Sequence, residues 1–203
     1  MKFPKLVLTA ALALTAVASQ AAPNLISNGD FENFTGGSFS GYQTIFAGSP
    51  ALPNWTIGGT SVDVINGGYG AISGNSIDML GTPGPGTLSQ SFVSIAGQSY
   101  VLSFDLSRNS DEYPYIGVSF NGDAQTQYLG GTGAAPNHYL VSYLANASST
   151  ILSFNSSPVA ANSGVVLDNV SVTAVPEPET YAMLLSGLGL IGAIARRRKN
   201  KKV

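Results

Sequence analysis

Tyr100-Val101-Leu102-Ser103-Phe104-Asp105-Leu106-Ser107 alternates large apolar and small or polar residues without a break. Successive side chains of a strand point to opposite faces, so Tyr100, Leu102, Phe104 and Leu106 share one face and predict a half-buried β-strand. The same period of two recurs on both sides, at 87–93, 116–120, 139–145, 150–155 and 165–175, and more weakly at 55–57, 62–65 and 77–80. Turn-forming clusters separate these runs, such as Asn66-Gly67-Gly68 and Gly81-Thr82-Pro83-Gly84-Pro85-Gly86. No stretch between them holds a helical period. About eight to ten short strands at this spacing predict an all-β antiparallel sandwich, a jelly roll, over residues 22–175. The alternating aromatic and aliphatic positions supply a core, which argues against a disordered stalk.

Both ends of the chain read differently. Residues 1–21 have the form of a secretory signal peptide: Lys2 and Lys5, an apolar run from Leu6 to Ala18, then Ser19-Gln20-Ala21 at the cleavage position. At the other end Val175-Pro176-Glu177-Pro178-Glu179 precedes an apolar stretch at 181–195, and a basic tail at 196–202 begins with Arg196-Arg197-Arg198. A helix over 181–195 is only ~22 Å long, against a hydrocarbon core of ~30 Å. The expectation is a short transmembrane helix with the basic tail on the cytoplasmic side and the body outside.

This end closely resembles the PEP-CTERM sorting signal. The resemblance covers residues 175–202 and implies that Pro176, Glu177, Pro178 and Arg196 to Arg198 are the sorting signal. It also implies an exosortase-type membrane protease as partner, export with transient tethering in the inner membrane, and a final place at the cell surface or beyond it.

The 203-residue chain has a formal charge of only -2, yet eight of its nine Lys and Arg residues lie in the two end segments. Residues 22–175 contain nine acids and Arg108 as the one base, a net of -8. Such a body repels nucleic acid. The absence of cysteine excludes disulfides and thiolate chemistry. His138 is the single histidine, which leaves no usual zinc site, and with no G-x-S-x-G it has no nucleophile partner. A solvent-facing place at a strand start is expected for it. Trp55, the single tryptophan, is expected to fill the core.

The order of motifs in the body is similar to a second group. Asn24-Leu25-Ile26-Ser27-Asn28-Gly29-Asp30-Phe31-Glu32 opens it, Pro53-Asn54-Trp55 and Ser76-Ile77-Asp78-Met79-Leu80-Gly81 follow, and Val166-Leu167-Asp168-Asn169-Val170 closes it. This series looks like the choice-of-anchor C type of exported bacterial protein. It is also similar to plant cell-wall domains of unknown function and to carbohydrate-binding modules with the galactose-binding-like jelly roll. The resemblance implies that the beginning and end of the body lie together and hold a structural calcium ion. Asp30, Glu32 and Asp168 would supply carboxylates, with Asn24 or Asn28 adding oxygen. The alternative is that these acids accept backbone N–H bonds and seal the strand ends.

For a polysaccharide ligand the candidates are aromatic residues in polar loops. Tyr113 and Tyr115 beside Asp111 and Glu112 offer flat faces and hydroxyl-directed carboxylates; Tyr69 and Tyr42 lie in Gly-rich stretches. The sequence thus points to a non-catalytic surface or matrix protein that binds extracellular polysaccharide. A self-associating matrix protein without a sugar site is the alternative, and a secreted glycan-active enzyme ranks third. A buried carboxylate pair in a deep cleft would favour the enzyme.

Overall fold

Two antiparallel sheets face each other across an aromatic core. The computed structural model describes residues 22–110, 114–132, 135–156, 164–176 and 178–200. The strands, in chain order, are β1 (Gly41–Phe46), β2 (Thr56–Gly59), β3 (Ser61–Asn66), β4 (Asn75–Asp78), β5 (Gly86–Val93), β6 (Ser99–Arg108), β7 (Tyr115–Phe120), β8 (Thr126–Leu129), β9 (Asn137–Leu144), β10 (Ser149–Ser156) and β11 (Val165–Ala174). The larger sheet has the order β1-β3-β4-β11-β6-β9 and the smaller one β2-β5-β10-β7-β8. The expected antiparallel sandwich is therefore the fold. Sequence alternation did not reveal β1 or β8. β1 carries only one buried apolar side chain, Ile45, and β8 lies at a sheet edge with mostly exposed residues.

The inward face of β6 is the predicted one: Tyr100, Leu102, Phe104 and Leu106 are all buried. Phe104 stacks on Tyr139 and meets Phe154 and Tyr128 edge-on, so one ring ties three other strands together. Trp55 is buried against Phe31 and Phe154, and its indole N–H donates to the Asn28 carbonyl at 2.8 Å.

The opening segment forms no strand. It docks on β11 as a loop, with Leu25 N–H donating to the Val172 carbonyl and Val170 N–H to the Gly29 carbonyl. Asn24 fixes this seam by accepting the N–H groups of Ile26 and Val172 on Oδ1. A bulge in β11 between Asp168 and Ser171, with Asn169 at φ 53°, turns Val170 toward that loop.

The C-terminal helix α1 spans Pro178–Asn200. It extends beyond the expected 181–195 at both ends. No helix among the described residues is long and apolar enough to cross a membrane. The single polar-to-basic sequence of α1 explains this: its apolar part is short, interrupted by Gly187, Gly189 and Gly192, and runs directly into Arg196. The signal-peptide expectation at 1–21 lies outside the described residues.

Candidate functional site

The larger sheet turns one face to the core and the other outward. On that outer face β3 and β4 place Asp63 directly opposite Asp78. One pair further along, Ile65 stands opposite Tyr42 of β1. Both acids are buried, at 5% and 3% exposure, because two loops fold over this face. The loop after β4 covers one side. Asp63 accepts Thr82 N–H on one oxygen and the Thr82 hydroxyl on the other, each at 3.2 Å. Asp78 accepts Leu80 N–H at 3.0 Å and the Asn109 side-chain amide on its second oxygen.

The loop between β3 and β4 covers the other side. The Ser107 hydroxyl donates to the Gly70 carbonyl, which ties this loop to β6. Gly70 has φ +81°, and a Cβ there would stand 2.5 Å from the Arg108 carbonyl, so only glycine fits. Just before it Tyr69 adopts φ 51°, a left-handed conformation unusual for a bulky residue. That conformation sets its ring against Tyr42, edge to face at 5.5 Å between centroids. Both rings remain about half exposed, at 48% and 55%.

Together these residues line an open cavity of about 440 Å³. Tyr42 and Tyr69 lie on one side of its lining, and Asp63, Asp78, Thr82 and Asn109 supply polar groups. Ile65 and Leu80 complete the wall. Aromatic faces beside a few fixed polar groups are the usual make-up of a small-ligand site.

Burial pushes the Asp78 carboxyl up to about 7 from 3.8; the Leu80 N–H partly offsets this and neighbouring Asp63 adds to it. The folded chain therefore keeps a proton that the unfolded chain has released. Stability should fall as pH rises from about 4 to about 7 and level off above that, because the unfolded state binds fewer protons in this window. Asp168 is raised by burial too and acts in the same direction. Thermal unfolding across this window should show the loss, and Asp78→Asn should flatten the slope. A slope unchanged by the substitution would contradict the assignment.

The structure brings Tyr42 and Tyr69 together, but not the other ligand candidates. Tyr115 opens β7 in the smaller sheet, opposite Leu129, and does not line this cavity. Asp111, Glu112 and Tyr113 lie outside the described residues. Sequence reasoning missed Asp63, Asp78, Thr82 and Asn109. The available signal was an acid inside an apolar run, as in Val62-Asp63-Val64-Ile65 and Ile77-Asp78-Met79.

The calcium candidates divide. Asn24, Asn28 and Asp30 border one shallow depression beside Asn169. Glu32 and Asp168 instead grip the turn before β4. Glu32 accepts Asn75 N–H at 2.8 Å, and its carboxylate lies where a Cβ on Gly74 would be. Asp168 is fully buried and accepts Ser73 N–H, the Ser73 and Ser76 hydroxyls, and Asn169 N–H. Asn28 spends its side chain on Asn33 and Pro53. Among the described residues no three acidic or histidine side chains gather as metal ligands, so the five do not fit one calcium ion as a set.

His138, on β9, is exposed as expected and pairs with Asp105 at 2.6 Å. Of the sorting residues, Pro176 lies between β11 and α1, and Arg196 to Arg198 are exposed on the helix. Glu177 lies outside the described residues.

Comparison with known proteins gives relatives of several kinds. Halomucin of Haloquadratum walsbyi is 28% identical over 183 residues, covering 85% of this chain but 2% of halomucin. The chain thus spans a small fraction of that relative's length. The CBM36-1 domain of a multidomain xylanase from the hindgut metagenome of Trinervitermes trinervoides is 12% identical, with TM-score 0.47, over 67% of this chain and 99% of that one. An exo-β-1,3-galactanase from Phanerochaete chrysosporium is 20% identical, with TM-score 0.44, over 66% of this chain and 29% of that one. The model of the PEP-CTERM protein-sorting motif matches residues 174–199, which marks the chain as exported. The model described as "Protein of unknown function (DUF642)" matches residues 24–173, and since this is most of the chain, the protein belongs to the DUF642 family.

Proposed function

We propose that this exported protein binds extracellular polysaccharide without catalysis, through the cavity at Tyr42 and Tyr69. The observation that supports this best is the convergence of two half-exposed rings beside fixed polar groups. Sugars offer C–H faces to aromatic rings and hydroxyls to carboxylates and amides. The acid pair meets the expectation for an enzyme only in part. All four carboxylate oxygens accept bonds from Leu80, Thr82 and Asn109, so the pair serves first to hold the cavity wall.

Each well-placed ring contributes about 1 kcal/mol, which gives single-site affinities between micromolar and millimolar. Many copies facing one polymer would raise this through avidity. The net charge of -8 on residues 22–175 favours neutral chains over polyanions at low salt. Affinity electrophoresis of the full chain against neutral and acidic polysaccharides tests the reading. Retardation by a neutral polymer, lost or reduced about fivefold in Tyr42→Ala and Tyr69→Ala, is expected. No retardation by any neutral polymer would favour the self-association reading instead, in which the edge strand β9 offers exposed Leu140 and Leu144.

The sorting motif supports recognition by an exosortase-type protease, a transient tether through 181–195, and release or transfer to the surface. Intact mass of the surface-extracted protein should lack residues 196–203. A mature form that keeps them would contradict removal.

A further inference from the structure

Two carboxylates stand on the polar side of the cavity, and the neighbouring donors of Thr82 and Asn109 are turned to them. Asp63 and Asp78 are each more than nine-tenths buried. None of the described residues lining the cavity is basic. The hydrogen bonds that the two acids accept come from neutral donors of Leu80, Thr82 and Asn109. Asn109, which also lines the cavity, donates its amide N–H to Asp78 and leaves Oδ1 buried without a hydrogen-bond partner. Carboxylates opposite one another on neighbouring strands repel unless something positive compensates them.

We propose that this cavity selects a sugar bearing a free ammonium group over the acetylated or neutral sugar of the same linkage. The inference rests on the reading of the cavity as a polysaccharide site and names the class of residue it prefers. An ammonium brings three donors and one positive charge, which matches two carboxylates and an unpaired amide oxygen. The tyrosine pair then meets the C–H face of the same or a neighbouring ring, and both rings can attract the cation as well. A neutral sugar satisfies the rings but leaves the carboxylate pair uncompensated. Burial raises the pKa of Asp78, and the neighbouring Asp63 carboxylate adds to the shift.

The test compares calorimetric titrations of the full chain with β-1,4-linked trimers of glucosamine, N-acetylglucosamine and glucose. Short oligomers limit the general attraction between an acidic protein and a polycation. The glucosamine trimer should bind about tenfold tighter than the other two. Asp63→Asn and Asp78→Asn should each bring that ratio close to one, and a cooperative thermal transition with an unchanged far-ultraviolet circular dichroism spectrum confirms that each variant is folded. Asp123→Asn removes the same charge from an exposed turn and should leave the ratio unchanged. Equal affinity for all three trimers would overturn the preference and leave the polysaccharide reading standing. A preference that survives both cavity substitutions would overturn its assignment to this acid pair. Binding of none of the trimers would overturn the proposal together with the reading beneath it. A melting temperature raised by calcium but not by the glucosamine trimer would give the acid pair to a metal ion and overturn the proposal.

Discussion

Asp168→Ala should destabilise the fold by about 3 kcal/mol, measured as a lower denaturation midpoint at unchanged slope. Asp168 is fully buried at the centre of the larger sheet, and four donors converge on it. Alanine leaves the backbone N–H groups of Ser73 and Asn169 and two serine hydroxyls without their acceptor. A buried group left unsatisfied costs about 1–3 kcal/mol, and the hydroxyls can rotate to recover part of this. The turn that carries Ser73 to Ser76 also ends the loop that holds Tyr69. Loss of the carboxylate should therefore loosen the ligand cavity as well as the sheet. Asp168→Asn retains one acceptor and should cost less. An unchanged midpoint in Asp168→Ala would show that the buried carboxylate is not what closes this turn.

Phe104→Ala should cost about 4 kcal/mol. The ring is fully buried and packs on Tyr128, Tyr139 and Phe154 at 5.3–5.5 Å between centroids. Its removal takes away both the transfer free energy and the contacts of three neighbours that cannot all move inward. Because Phe154 belongs to the smaller sheet, the cavity would open between the two layers. Phe104→Leu keeps most of the volume and should cost about 1 kcal/mol. Urea unfolding of the two variants separates these cases; equal costs would mean that the site collapses freely around either residue.

Period-two alternation made most strands legible because their inner residues are large and their outer ones small, as in Tyr100 to Ser107. It failed for β1, whose Gly41-Tyr42-Gln43-Thr44 half has no apolar alternation, and for the exposed edge strand β8. The opening Asn24-to-Glu32 motif correctly signalled contact with the last strand. Of the two readings of its chemistry, the hydrogen bonds match the alternative, since Asn24, Glu32 and Asp168 accept backbone N–H groups. Tyr69 was legible as a loop aromatic, whereas Tyr42, expected in a Gly-rich loop, lies on β1 because Gly41 to Phe46 pairs with β3. Asp63 and Asp78 were not legible, because nothing in their separation of fifteen positions tells that β3 and β4 pair in the register that sets them opposite. Asn109 joins them only through the β11–β6 pairing, which is longer-range still.

The most direct test of the sugar-binding account is a nitrogen-15 NMR titration of the full chain with a short neutral oligosaccharide from a polymer that retards it. The account predicts shifts concentrated at Tyr42, Ile65, Tyr69, Leu80 and Asn109, the residues around the cavity. Shifts confined to the smaller sheet, at Tyr115 and its neighbours, or spread evenly over the surface would contradict it.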